Sequence, residues 1–312
     1  MDIVTVTLNP AWDIIHVAER WRSERLVRAR EHWVVPGGKG VNVSRVLARL
    51  GHPSLCLILA GSPDAQRFAE ALRRERIGLD AFPAPFPIRH NVTLIDSAGF
   101  DELHSVAAGG AMDPNQVGGL LAWIVAHFQP DAHLVLAGSF PPGCPHDLAA
   151  DLVRLCRNHG MRCVVDTHGE ALRYALNAGP WAVKVNRDEL AHALGLPEQA
   201  TDDQLVAAAR REVLERGVDW VSVTFGARGA AIISRERSFW ATPPQTRTMQ
   251  TTGCGDAFLA GLLVAQRRGN PLDDQIRYAA AVAGAATEVP ELGQINPKRV
   301  AELARGVLVR PL

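Results

Sequence analysis

Short apolar runs rich in β-branched residues recur along the chain, separated by longer stretches whose apolar positions return every three or four residues. The runs are IVTVTL (3–8), LCLILAG (55–61), HLVLAGS (133–139), RCVVDT (162–167), WAVKVN (181–186), WVSVTFG (220–226) and AAIIS (230–234). Nearly continuous hydrophobicity of this kind predicts strands covered on both faces. Val43, Val46, Leu47 and Leu50 follow i, i+3, i+4, i+7 spacing up to Gly51, the pattern of a helix ended by glycine. Segments 65–76, 113–128, 145–159, 201–216 and 273–288 also read as helices. A further stripe, Phe258, Leu259, Leu262 and Leu263, is closed by Gly269-Asn270-Pro271. Buried strands alternating with helices predict an α/β sandwich, a mainly parallel sheet with helices on each side.

Two regions break this rhythm. Segments 12–35 and 86–107 hold short alternating stretches with polar residues and turn signals, as expected of small half-exposed strands. They predict a small β lid inserted in one domain spanning 1–312. No Ser/Gly linker, charge block or internal repeat divides the chain.

Composition narrows the function classes. Hydrophobic residues make up 47% of the chain, ample for a buried core, and 33 basic residues balance 33 acidic ones. No global field therefore attracts nucleic acid or an anionic membrane surface, and any cationic function must be local. The opening MDIVTVTLNPAWDIIHV carries no basic n-region followed by an apolar h-region, and no stretch is long enough to span a bilayer. A cytoplasmic protein is expected. Cys56, Cys144, Cys156, Cys163 and Cys254 are odd in number and form no CxxC pair, which argues against a disulfide framework or structural zinc.

Two glycine-rich stretches carry candidate chemistry. In VVPGGKGVNVSRVLARLG (34–51) a strand passes through Pro36-Gly37-Gly38-Lys39-Gly40 into a helix. Consecutive glycines let ligand atoms approach the backbone, and free amides at a helix start favour an anion. A tight strand-to-helix turn explains the stretch equally well, and neither standard nucleotide-binding glycine order is present. In TTGCGDAFLAGLL (251–263), Gly253, Cys254, Gly255 and Asp256 fall at a helix N-terminus. Asp256 alone reads as a helix cap. Beside a second loop of aimed amides it reads differently. Donors for phosphoryl charge plus a carboxylate able to take a hydroxyl proton are what phosphoryl transfer to an alcohol requires.

These two stretches resemble the two signatures of the PfkB, or ribokinase-like, family of carbohydrate kinases. TLNPAWD (7–13), IRHNVTLID (88–96), LAGSFPPGCP (136–145) and VKVNRDEL (183–190) match further blocks in the same order. TLNPAWD and PGGKGVN are similar to the hexose-phosphate branch, which holds 1-phosphofructokinase, the minor 6-phosphofructokinase and tagatose-6-phosphate kinase. The resemblance implies a ribokinase-like three-layer α/β/α sandwich and transfer from Mg-ATP to a primary hydroxyl of a ketohexose phosphate. Fructose 6-phosphate, tagatose 6-phosphate and fructose 1-phosphate all fit that description. A kinase for an unphosphorylated sugar or nucleoside, or a silent sensor on the same fold, are the alternatives.

The same resemblance assigns expected roles. Asp256 becomes the general base, and the amides of Gly253, Cys254 and Gly255 the anion hole, with Cys254 standing where relatives carry alanine or serine. Asp13, Gly37, Gly38 and Asn42 are expected to hold the sugar, and Arg28, Lys39, Arg89 and Ser139 its phosphate. Lys184, Asn186 and Glu189 resemble the N-x-x-E block, with Glu189 expected to organise Mg²⁺ through water. Thr224, Gly226 and Gly229 match a loop along the ATP. The small sheet of such kinases often pairs with a second subunit, so a homodimer is expected, with Trp12, Ile14, Trp33 and Val35 as its apolar surface.

Overall fold

The computed structural model describes residues 2–19, 26–61, 63–98 and 101–312. Residues 20–25 and 99–100, within the two expected lid segments, lie outside the described residues.

Ten strands form one sheet in the order β14-β13-β12-β11-β10-β9-β8-β1-β4-β5. Every apolar run noted above supplies one of them: β1 (Ile3–Thr7), β4 (Leu55–Ala60), β8 (His133–Ala137), β9 (Arg162–Asp166), β10 (Ala182–Asn186), β11 (Trp220–Thr224) and β12 (Ala230–Ser234). The others are β5 (Gly78–Pro83), β13 (Ser238–Thr242) and β14 (Leu308–Pro311). Pairing is parallel from β5 through β11 and antiparallel from β11 to β14. After β1 the chain adds β4 and β5 on one side, then returns past β1 to lay down β8 to β11 on the other. The strand order thus reverses beside β1 and β8, and a crevice opens outside their carboxyl ends.

Helices cover both faces. Residues of α1 (Lys39–Arg49), α8 (Cys254–Arg267), α9 (Leu272–Thr287) and α10 (Pro297–Ala304) share one apolar cluster with Val135, Val164 and Ile232 of the sheet. On the opposite face lie α3 (Val117–Val125), α4 (Leu148–Asn158), α5 (Gly169–Ala178), α6 (Arg187–Ala193) and α7 (Asp202–Glu215). The helix α2 (Asp64–Arg74) buries Phe68 and Leu72 against Cys56, Ile58 and Ala60, alternate residues of β4. The result is the expected three-layer arrangement. No described helix is long and apolar enough to cross a membrane.

A separate four-stranded sheet, in the order β3-β2-β6-β7, contains β2 (Ala11–Ala18), β3 (Glu31–Gly37), β6 (Arg89–Asp96) and β7 (Asp101–Val106). Its register corrects the expected apolar surface. Asp13 pairs with Val35 and Ile15 with Trp33, so Trp33 and Val35 share the face of Ile15 and Ile95 and pack with Leu292. Trp12 is also unavailable, because it is buried edge-on against Phe68 with ring centroids 5.0 Å apart. Of the four residues only Ile14 stays on the outer face. There it pairs with Val34, which is 53% exposed, in the same sheet as the half-exposed Leu103.

Thr7 explains the two glycines that flank Lys39 at the start of α1. A Cβ on Gly38 would lie 2.7 Å from Thr7 Cγ2, and one on Gly40 would lie 2.4 Å from Thr7 Oγ1. Gly38 also sits at φ +112°, in the region that disfavours side chains. We expect Gly38→Ala to cost about 2 kcal/mol or more in folding stability. A lowered thermal midpoint checks this; an unchanged one contradicts it.

Candidate functional site

The crevice widens into a cavity of about 1410 Å³. It is walled by the carboxyl ends of the parallel strands, the N-termini of α1 and α8, and the small sheet. Sixteen of the eighteen residues singled out above line it; the exceptions are Arg28 and Gly37. Arg28 is exposed in the segment leading to β3 and does not line the cavity. Gly37 is buried behind the cavity wall, where it has a packing reason. A Cβ there would stand 1.8 Å from Asp13 Oδ2, so the glycine makes room for the Asp13 carboxylate.

At the centre lies a charged cluster. Asp166, fully buried at the end of β9, accepts from Lys39 Nζ at 2.8 Å on Oδ1 and from Lys184 Nζ at 2.9 Å on Oδ2. Lys39 also donates to Glu189 Oε1 at 3.1 Å. Burial opposes ionisation of Asp166, but Lys184 and Lys39 overcome it and hold the carboxyl below its ordinary range. Burial likewise works against the Lys39 charge, and Asp166, Glu189 and Asp256 more than offset it. Lys39 is therefore tied to this cluster while also lining the cavity. Nothing in the strand pattern singled out Asp166. Its position at the carboxyl end of a parallel strand is the signal that could have found it.

Asp256 faces the same cluster from the first turn of α8. Gly253, at φ +75°, lets the chain turn sharply into the helix, and Asp256 is 5% exposed. Burial first, then the neighbouring Asp166 charge, push its carboxyl up to about 6 against the pull of Lys39, Lys184 and a hydrogen bond from Asn42. The Asn42 Nδ2 donor lies 2.8 Å from Asp256 Oδ2. Gly255 is needed next to it, because a Cβ would meet Lys184 Nζ at 2.8 Å. The Cys254 thiol is raised to about 12 by burial and by Asp256 and Glu102, which keeps it protonated and unreactive.

The other end of the cavity is shaped by the small sheet. Arg89 donates through Nη1 to the Ala107 carbonyl at 2.5 Å and through Nη2 to the Asn9 carbonyl at 3.1 Å, while its buried Nε has no partner among the described residues. Asn9 Nδ2 donates to Ser139 Oγ at 3.2 Å, joining the ends of β1 and β8 where the strand order reverses. Asp13 accepts from Asn91 Nδ2 at 2.9 Å and is raised by burial. Glu102, which the sequence reading missed, binds the small sheet to the loop before α8, accepting from Thr251 N at 2.8 Å.

Further along the sheet the cavity has a third sector. Asn186 and Glu189 form a reciprocal capping box at the start of α6, so Glu189 Oε2 accepts from Asn186 N at 2.8 Å. Gly226, at φ +61°, has open space where a Cβ would be, leaving its backbone accessible to a ligand. Gly229 is small for a packing reason, since a Cβ would stand 2.3 Å from the Ala241 carbonyl. Gly284 of α9 is likewise set by Pro244, 3.0 Å from its notional Cβ.

Backbone donors at a helix start, a buried lysine and a partly exposed one, a carboxylate of raised pKa and a separate cationic end define a class of protein, enzymes that move a phosphoryl group onto an alcohol. The comparison with known families gives the particular one. The model described as "pfkB family carbohydrate kinase" matches residues 6–299, and the chain belongs to this family. It is 34% identical to 1-phosphofructokinase of Rhodobacter capsulatus over 99% of this chain and 98% of that one. To ATP-dependent 6-phosphofructokinase isozyme 2 of Escherichia coli it is 28% identical, covering 91% and 92%. Phosphofructokinase-2 of Escherichia coli, crystallised with substrates and products, superposes with a TM-score of 0.90 at 26% identity over 98% of this chain and 99% of that one.

Proposed function

We propose that this protein is an ATP-dependent kinase that phosphorylates a primary hydroxyl of a ketohexose phosphate, with fructose 1-phosphate and fructose 6-phosphate as first candidates. One observation carries the reading: Asp256, at the mouth of α8, and Arg89, with an unpartnered buried donor, open onto a single cavity. The relatives named 1-phosphofructokinase and 6-phosphofructokinase support the substrate class.

In this mechanism the sugar lies between the two ends. Asp13 accepts hydrogen bonds from its hydroxyls, with Asn91 holding the carboxylate in place. Arg89, together with Ser139, takes the phosphate already on the sugar, since a guanidinium presents several donors to phosphate oxygens. The free primary hydroxyl then points at Asp256. As its oxygen attacks the γ-phosphorus, the bond to the ADP oxygen breaks and Asp256 receives the hydroxyl proton. The amides of Gly253, Cys254 and Gly255, with Lys39 and Lys184, meet the charge on the moving phosphoryl group.

Thr224, Gly226, Gly229 and Asn186 border the ATP. Mg²⁺ fits this donor set. Among the described residues no three carboxylate, His or Cys groups form a metal cage, and magnesium commonly keeps its waters while taking one or two carboxylates and phosphate oxygens. Both Glu189 oxygens already accept hydrogen bonds, so Glu189 would hold the ion through water. When bound, Mg²⁺ neutralises charge on the ATP phosphates. The reduced cysteines and the ATP requirement suit the cytoplasm.

The outer face of the small sheet, with Ile14, Val34 and Leu103, suits pairing with a second copy. Light scattering should give twice the chain mass, and a monomer at assay concentration would rule the pairing out.

Two substitutions test the division of labour. Asp256→Asn should lower kcat by about 10²- to 10⁴-fold with the fold intact. In the native enzyme kcat should be full above the Asp256 pKa and fall as pH drops through about 6, because the base must be ionised. Full activity of Asp256→Asn refutes the base. Arg89→Ala should raise KM for the sugar phosphate by about 10- to 100-fold and leave KM for ATP unchanged. A change confined to ATP refutes the assignment of the two ends.

A further inference from the structure

Asn42 sits between a cation and a carboxylate, and this fixes the direction of its amide. Arg45 Nη1 lies 3.0 Å from Asn42 Oδ1, while Asn42 Nδ2 lies 2.8 Å from Asp256 Oδ2. A guanidinium has only donors and an ionised carboxylate only acceptors. Turning the amide over would set its NH₂ against Arg45 and its oxygen against Asp256, so both hydrogen bonds would become repulsions.

Arg45 is itself immobilised. It is only 2% exposed, the largest of the fully buried side chains. Its Nε and Nη2 grip Glu75 at 2.6 and 3.1 Å, and Nη2 also donates to the Pro36 carbonyl at 2.6 Å. The stem passes over Gly293, where a Cβ would stand 2.7 Å from Arg45 Cδ. A continuous line thus runs from Glu75, at the end of α2, through Arg45 and Asn42 of α1 to Asp256 of α8. Among the described residues the second oxygen of Asp256, Oδ1, accepts no hydrogen bond, and the residue lines the cavity.

We propose that Arg45 is a positioning residue for phosphoryl transfer. By locking the Asn42 amide it commits Asp256 Oδ2 to Asn42 and leaves Oδ1 as the oxygen that takes the substrate's hydroxyl proton. The inference rests on the reading of Asp256 as the base. Arg45 touches neither substrate nor reacting atoms in this account. It acts only through Asn42.

The groups that bear on Asp256 are Asp166, which raises its pKa, and Lys39, Lys184 and Asn42, which lower it. Loss of the Asn42 donor therefore shifts Asp256 upward, and the acid limb of kcat moves to higher pH.

Two variants of the full chain test this. Arg45→Lys keeps a cation on Glu75, but one compact ammonium cannot also hold Asn42 as the guanidinium fork does. The double variant Arg45→Met with Glu75→Met replaces the whole ion pair with apolar side chains, a change that buried pairs often tolerate. In both we expect kcat to fall by about 10- to 100-fold, with KM for ATP within about threefold of native and the acid limb moved upward. Folded variants with native kcat, or with a lowered kcat and an unmoved acid limb, overturn the proposal.

A second readout needs no turnover: the ¹³C-carboxyl titration of Asp256, its resonance identified by its absence in Asp256→Asn. A higher midpoint in the variants supports the role of Arg45, and equal midpoints overturn it. A native protein that phosphorylates no sugar phosphate refutes the kinase instead, and the titration still decides on Arg45.

Discussion

The site depends on one buried carboxylate held between two ammonium groups. Asp166 could not stay ionised at zero exposure without Lys39 and Lys184, which bind one of its oxygens each. The three residues come from the N-terminus of α1, the end of β9 and the middle of β10, so the cluster fixes where those elements meet. It also sets the field in which Asp256 titrates. Asp166 discourages a second negative charge nearby, while the lysines encourage it, and the balance leaves Asp256 at about 6. A base poised there is ionised at neutral pH yet still able to hold a proton when one arrives.

Glycines around this cluster act mainly as clearance for side chains. Gly37 makes space for Asp13, Gly40 for Thr7 and Gly255 for Lys184. Their absent Cβ atoms let polar and charged side chains from separate elements approach closely. The same economy appears at Gly293, which seats Arg45. Gly226 differs, because it leaves open space facing the cavity.

Much of this was legible in the chain. Every uninterrupted apolar run became a strand of the large sheet, because strands covered on both faces leave a continuous signal. Less visible were β5, β13 and β14. Gly78 and Pro83 bound the first and Asp80 breaks its apolar run, and the other two lie in the antiparallel margin where one polar face is allowed. Short helices such as α6 are anchored by a capping box and tertiary contacts rather than by a long periodic stripe.

Of the site, the glycine stretches and Asp256 were readable as motifs. Partners supplied by distant elements were not. Asp166 looks like any polar residue at the end of an apolar run until two lysines are seen to converge on it. Glu102 lies 149 residues from the loop it holds, a separation that no local pattern encodes. Trp33 and Val35 were misjudged because apolar character alone does not say which face of a strand points inward. Register does, and the pairing of Asp13 with Val35 settles it.

The most direct test of this account is the titration of the Asp256 carboxyl, followed by ¹³C NMR in the native protein and in Asp166→Asn. The account predicts a midpoint near 6 in the native protein and a lower one in the variant, where the opposing charge is gone and both lysines remain. A native midpoint near the ordinary aspartate value of 3.8, or the same midpoint in both proteins, would contradict it.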